Sequence, residues 1–302
     1  MSELCVAVDQ YLGIRRALGF KLQRPASLLP DFVRYLEAHH AAFITIRHAL
    51  DWARQPSDGH PAWWAERLSI VRGFAKHLQA EDPRHQVPPV DLMRRPVRRA
   101  VPVLFSAREI AALLAAAHRI KAPLGAAAYE MLFGLLAVTG MRIGEAIRLD
   151  REDIDWKQQL LVVHNSKFGK SREVVLHSSV LTALKRYSQV RDDCFPRPRS
   201  PAVFVSLNGT RVIYNNAHRT FRTLGRAAGI RRGRPHDLRH SFAVATLLRW
   251  YRTGVDVDVW LPRLSTYLGH AAPDSTYWYL TAAPELMAAA RRRLERAGGL
   301  TS

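Results

Sequence analysis

The chain has 302 residues, with 45 lysines and arginines against 26 aspartates and glutamates, a net charge of +19. A field of that sign draws in phosphate backbones, while the two distant cysteines, Cys5 and Cys194, argue against a disulfide framework or a zinc ribbon. No apolar run approaches the ~20 residues that cross a bilayer, and the opening Met-Ser-Glu-Leu-Cys lacks the basic-then-apolar plan of a signal peptide, so a cytoplasmic, reduced protein without membrane contact is expected.

The length favours two domains. Residues 1–90 predict helices around Val6–Leu18, Ala26–His39, Ile46–Arg54 and Ala62–Gln79. In the last of these, Trp64, Leu68, Val71, Ala75 and Leu78 recur at helical spacing and form one apolar stripe. The break before it is Pro56-Ser57-Asp58-Gly59-His60-Pro61. Trp63 and Trp64, at the start of that amphipathic helix, suit packing better than base stacking. Between 83 and 102 stand Pro83, Pro88, Pro89, Pro96 and Pro102, interleaved with Arg94, Arg95, Arg98 and Arg99. Such a stretch predicts an extended, basic interdomain linker, centred on 91–102, whose arginines can follow a phosphate backbone.

Beyond it, Ser106-Ala107-Arg108-Glu109 has the form of a capping box opening the helix Ile110–Ala117. The segment Pro123–Val138 is apolar nearly all round and predicts a buried helix. Thr139-Gly140 ends that helix, and Arg142 begins the next helical turn. Leu160–His164 and Glu173–His177 predict two strands, joined into a hairpin by the glycine-containing turn Lys167-Phe168-Gly169-Lys170. Helices dominate from there on. The last, over Pro284–Arg296, carries Leu286, Ala290 and Leu294 on one side; too short to stand alone, it must bury that stripe in its own chain or in a neighbour. The expected class is therefore mainly α with a small β-hairpin or sheet (α+β), in domains at 1–90 and 103–302.

The reactive residue types gather in a few stretches. These are Thr139-Gly140-Met141-Arg142-Ile143-Gly144-Glu145, His236-Asp237-Leu238-Arg239-His240, and Leu268-Gly269-His270 followed nine residues later by Tyr279. Two arginines, histidines and a phenol suit attack on a DNA phosphodiester without a metal ion. Breaking a strand without losing its bond energy needs a protein nucleophile that holds the phosphoryl group covalently. A tyrosine oxygen can serve, although its ordinary pKa is about 10. Negative charge building on the non-bridging oxygens calls for fixed cations. Arg142 and Arg239 are the candidates, because a guanidinium donates two parallel hydrogen bonds and stays charged. A histidine can donate to a phosphate oxygen or shuttle the tyrosine proton, and His236 and Arg239, three apart after Pro235, share a helix face. The departing 5′-hydroxyl needs a proton, which Lys167 or Lys170 at the hairpin tip could supply.

Rival readings are weaker. Tyr277 lies two residues from Tyr279 and so nearly on the opposite helix face. His236 and His240 have the spacing of a helical zinc pair, but no Glu follows His236 and no third ligand is apparent. Gly169-Lys170-Ser171 mimics the end of a P-loop, yet His164 stands where a glycine is required. Asp150, Asp153 and Asp155 suit a polar turn before the hairpin better than a magnesium site.

In these boxes, together with Ser166-Lys167-Phe168-Gly169-Lys170-Ser171-Arg172-Glu173-Val174-Val175-Leu176, the sequence resembles the tyrosine recombinases, or phage integrase family, over about 105–285. Each box alone is a weak signal; all of them in this order and spacing are a strong one, and no catalytic position departs from the pattern. The resemblance implies that Arg142 and Arg239 clamp the scissile phosphate with His236 and His270. It also implies that Lys167 is the general acid, and that Tyr279 forms a 3′-phosphotyrosyl bond. Glu145 falls at a supporting acidic position, and His240 is expected to support the site from beside it. Residues 1–90 match only in kind, as a helical core-binding domain that closes a clamp on DNA. Arg231, Arg232 and Arg234 are expected to line the DNA channel. Implied partners are double-stranded DNA, accessory recombinases and further copies of the chain: a monomer in solution, a tetramer in the synaptic complex, with the C-terminal helix docking on a neighbouring protomer. Strand exchange would pass through a Holliday junction with no cofactor. The segment Tyr277-Trp278-Tyr279-Leu280-Thr281 looks like those of transposon-associated integrases. A non-catalytic accessory protein of the same fold and a topoisomerase-like relaxing enzyme remain as alternatives.

Overall fold

The computed structural model describes residues 2–55, 57–93, 103–164 and 171–270, with 276, 277, 279, 286, 287 and 291 beyond them. The chain divides into two compact units, Met1–Arg99 and Ala100–Ser302.

The first unit contains α1 (Glu3–Ala17), α2 (Gln23–Ala38), α3 (Ile46–Ala53) and α4 (Pro61–Gln79). Local caps set their starts. Ser2 accepts the Cys5 N–H and pulls α1 forward to Glu3; Thr45 accepts the His48 N–H and opens α3; Pro61 takes the first position of α4, where its missing N–H costs nothing. Leu68, Val71, Ala75 and Leu78 of the expected stripe are buried, joined by Phe74, while Trp64 is half-buried. Around them Phe32, Trp52 and Phe74 fill the centre of the core. One charge is buried with them. Arg67 donates to the Trp52 carbonyl at 2.8 Å, lies 3.7 Å over the Trp52 ring and is 3.9 Å from Asp31.

The proline-rich stretch is not linker from its start. His85 is buried and accepts the Ile44 N–H, Gln86 exchanges hydrogen bonds with Ile44 and Ile46, and Arg72 donates to the carbonyls of Pro88 and Pro89. Prolines remove donors but keep their carbonyls, and here an arginine on α4 collects two of them. Arg94, Arg95, Arg98 and Arg99 lie outside the described residues.

The second unit contains α5 (Ala107–His118), α6 (Pro123–Thr139), α7 (Ile143–Arg148), the strands β1 (Ile154–Asp155), β2 (Leu160–Val163) and β3 (Arg172–Val175), then α8 (Ser178–Cys194), α9 (Tyr214–Ala227), α10 (Pro235–Thr253) and α11 (Val257–Leu268). The described residues are thus mainly α with one small antiparallel sheet, the class the sequence predicts. The Ser106–Glu109 capping box forms in both directions. Helix α6, apolar on nearly every side, runs through the core, and α5, α8 and α10 pack around it. The sheet has the order β1-β2-β3, and Val163 pairs with Arg172 at the base of the hairpin. The third strand, β1, was not foreseen: two residues carry no readable alternation. Asp155 caps the turn after β1 through the N–H groups of Lys157 and Gln158, Asp153 accepts the Asp150 N–H, and Asp150 pairs with Arg211. These carboxylates therefore serve turns and an ion pair. Lys167 and Lys170 lie outside the described residues, as does most of 284–296, where Leu286 is buried in the core around α10 and α11. No helix among the described residues is long and apolar enough to cross a membrane.

Candidate active site

The site is built on two helix ends. Gly140 closes α6 and Gly269 closes α11, each in the left-handed region, with φ of 63° and 67°. A side chain at Gly140 would also lie 2.5 Å from the Phe242 ring, so both conformation and space demand glycine there. Helix C-termini leave carbonyls without intrahelical donors and carry the negative end of the helix dipole. Arginines occupy both ends. Arg239 on α10 donates to the Gly140 carbonyl at 2.9 Å and the Leu268 carbonyl at 2.7 Å; Arg142, at the start of α7, donates to the Gly269 carbonyl at 2.8 Å.

Glu145 organises the second set of contacts. Its carboxylate accepts the Arg142 N–H at 2.9 Å and the Arg142 guanidinium at 2.7 Å, and it accepts both Nη groups of Arg172 at 3.1 and 2.7 Å. Burial alone would raise the Glu145 pKa, but the hydrogen bonds and charges of Arg172 and Arg142 outweigh it and hold the carboxyl at about 2. The described residues thus place three guanidinium groups, Arg142, Arg172 and Arg239, against one carboxylate, Glu145: 3 − 1 leaves an excess of +2. The excess is felt by Arg239, which is 1% exposed. Burial first, then repulsion from Arg142, brings its pKa down to about 10.

Tyr279 faces these arginines. It is 2% exposed, whereas Tyr277 is 49% exposed. The phenol oxygen is 3.1 Å from His240 Nδ1, and the two rings meet edge-on at 5.5 Å. His236 meets His240 edge-on at 4.7 Å, and His270 stacks on Tyr279 at 6.1 Å. Thr276, fully buried, holds His270 Nδ1 at 2.7 Å. Burial raises the Tyr279 pKa, and Arg239 and Arg142 oppose that rise. The histidines move the other way. Burial and then the Arg239 and Arg234 cations bring His240 to about 4; burial, Arg239 and Arg142 bring His270 to about 3. His236 is lowered by burial first and then by His240 and Arg239, although its outer edge meets solvent. The pocket at neutral pH therefore contains a protonated phenol, uncharged imidazoles and surplus guanidinium charge.

Of the residues singled out from sequence, Arg142, Glu145, His236, Arg239, His240, His270 and Tyr279 come together here. Arg231, Arg232 and Arg234 are exposed just ahead of α10, where the Arg234 N–H donates to Asp237. Arg172 and Thr276 were not singled out. Arg172 sits 27 residues from its carboxylate partner, a separation with no local signature; Thr276 lies in the nine-residue interval between His270 and Tyr279, where its value is only its distance to His270.

Residues 104–285 match the model of the phage integrase family. The chain is 44% identical over 308 residues, 98% of each chain, to the Sinorhizobium fredii protein y4rB, which carries an integrase/recombinase name. It is 33% identical over 230 residues to the tyrosine recombinase XerD of Mycobacterium leprae, covering 71% of this chain and 68% of that one. The fold is shared with the Tn1549 transposon integrase solved in complex with transposon right end DNA, at a TM-score of 0.66 and 17% identity over 96% of this chain and 98% of that one.

Proposed function

This chain belongs to the phage integrase family, and on that premise we propose that it is a site-specific DNA recombinase that cleaves and rejoins duplex DNA through a 3′-phosphotyrosyl intermediate, serving a mobile element. One observation carries the reading: the buried Tyr279 hydroxyl sits against His240, with the guanidinium groups of Arg239 and Arg142 beside it. In the cleavage step the Tyr279 oxygen attacks phosphorus and its proton passes to Nδ1 of an uncharged His240. The bond to O5′ breaks, and O5′ takes a proton from Lys167. Arg142 and Arg239 receive the charge that builds on the non-bridging oxygens, as fixed donors in a site shielded from water. The excess of +2 matches the two negative charges of a pentacoordinate phosphorane, which a metal ion would otherwise be needed to balance. With Nδ1 held by Thr276, His270 has Nε2 available to a phosphate oxygen.

Rejoining reverses these steps with a 5′-hydroxyl from a second duplex, so the reaction needs two sites and passes through a Holliday junction. Four protomers, monomeric before they bind, would hold those sites, each using its helical first unit to close around DNA and its C-terminal helix to link to a neighbour. Arg94, Arg95, Arg98, Arg99, Lys170, Arg231, Arg232 and Arg234 would follow the backbone, and no nucleotide or metal is consumed.

The test is trapping on a nicked duplex of the cognate site in the presence of EDTA. Wild-type protein should become covalently attached, and Tyr279→Phe should bind the same DNA without any adduct. An undiminished adduct in Tyr279→Phe, or strict dependence on magnesium, would remove the reading; relaxation of supercoils without joining of two marked duplexes would make the protein a topoisomerase-like enzyme instead.

A further inference from the structure

Arg172 is the first residue of β3, paired with Val163, the last residue of β2; the segment that contains Lys167 and Lys170 lies between them in the chain. Its side chain is only 10% exposed, and its two Nη groups grip the two oxygens of Glu145. The same two oxygens hold Arg142, one by its backbone N–H and the other by its guanidinium. The Arg172 guanidinium also lies close against Gly269: a Cβ there would come within 2.9 Å of Nη1 and 3.2 Å of the central carbon. Gly269 in turn presents its carbonyl to Arg142 and precedes His270. One planar side chain therefore touches the start of α7 through Glu145, the base of the hairpin through its own backbone, and the end of α11 through Gly269.

We propose that Arg172 is a positioning residue that locks Arg142, through Glu145, into register with the hairpin and with the Gly269–His270 corner. The inference rests on the role given to Arg142 above. A carboxylate shared between two arginines has four acceptor sites, and here all four are filled, two by each arginine. Removing Arg172 frees half of them, so Glu145 can rotate toward Arg142 and withdraw its guanidinium from the scissile phosphate. A lysine at 172 keeps the charge but cannot bridge both oxygens in one plane. The defect should therefore belong to the phosphate-stabilising step and not to the protonation of the leaving oxygen.

The experiment compares wild type, Arg172→Lys, Arg172→Leu, Arg142→Ala and Glu145→Gln in single-turnover cleavage of three nicked substrates. One has an ordinary scissile phosphodiester, one a methylphosphonate with a neutral methyl in place of a charged oxygen, and one a 5′-bridging phosphorothiolate whose thiolate leaves without a proton. Both Arg172 variants should cleave the phosphodiester on the order of 10²-fold more slowly. Both should approach wild type on the methylphosphonate, where less charge needs an arginine, and neither should recover on the phosphorothiolate. The double variant Arg172→Leu/Glu145→Gln should be no slower than the product of the two defects divided by the smaller one, because the two side chains act as one unit. Thermal melting of Arg172→Lys distinguishes misfolding from mispositioning. Unchanged cleavage of the phosphodiester, recovery on the phosphorothiolate, or an equal loss on all three substrates by a well-folded Arg172→Lys overturns the proposal. Should wild type form no adduct, or Arg142→Ala gain nothing from the methylphosphonate, the fault lies with the function proposed for the site and the assignment of Arg172 falls with it.

Discussion

Both units of this chain bury arginine, and they do so in opposite ways. Arg67 in the helical unit is balanced where it stands: a carbonyl, an aromatic face and the Asp31 carboxylate account for its charge. Burial lowers its pKa, and the Asp31 charge offsets part of that fall. Arg239 in the second unit is buried more deeply; it donates to two carbonyls and to the Tyr279 phenol, makes no ion pair of its own among the described residues, and feels Arg142 as its largest charge influence. A charge buried with its counter-charge is architecture. A charge buried beside others of the same sign favours an anion, and the phosphodiester proposed above has that sign.

The largest effect expected from this contrast is catalytic. On the proposed mechanism Arg239→Met removes one of the donors aimed at the developing charge, and loss of a single such donor typically lowers turnover by about 10²–10³-fold. Single-turnover trapping on nicked DNA should show a fall of at least that order while duplex binding persists, since binding draws on many surface cations. Arg67→Met should behave inversely. It strips the Trp52 carbonyl and Asp31 of a buried partner, costing about 1–3 kcal/mol of stability, and leaves the cleavage rate of the folded fraction unchanged. Urea melts of the full chain read the first quantity and trapping reads the second. If Arg67→Met slowed cleavage as much as Arg239→Met, the division between balanced and unbalanced arginines would have no functional meaning.

The same division explains what was legible in the sequence. Helices announced themselves where apolar residues met a capping or stop residue, as in α5 with its capping box and α6 between Pro123 and Gly140, and the start of α1 was misjudged by three residues because Ser2 caps it. The strand β1 was too short to show a period, and the proline-rich stretch was read as linker because nothing local reveals that Arg72 collects the Pro88 and Pro89 carbonyls. Site residues were legible where they came in boxes, such as His236, Arg239 and His240 along one turn of α10. Arg172 was printed in one of those boxes yet given no task, because its meaning lies in a carboxylate on another element. Gly140 looked like an ordinary helix stop and Gly269 like one member of a box; their further use, turning carbonyls toward two arginines, exists only in three dimensions.

The smallest expected effect concerns protons, and it too separates the two units. His85 in the first unit is buried, accepts the Ile44 N–H, and has its pKa lowered by burial. In the second unit His240 is lowered to about 4 and His270 to about 3, again by burial first and then by arginine cations. An unfolded chain takes up protons on these rings below its ordinary value of about 6.5, while the folded chain refuses them until much lower pH. The contribution of His240 and His270 to stability is therefore complete above about pH 6.5 and is lost as pH falls toward 4, at a rate on the order of tenfold in the unfolding constant per pH unit for each ring, and that of His85 is lost in the same direction. The helix that carries His240 and His236 should feel this more than α4, whose unit has one such ring among those shifted. Amide exchange, corrected for its intrinsic pH dependence, should show openings of α10 multiplying between pH 7 and pH 5 by more than those of α4. Equal gains in the two helices would mean that the imidazoles beside Tyr279 are not held uncharged by their burial and the arginines around them, and His240 would lose its standing as the acceptor of the phenolic proton.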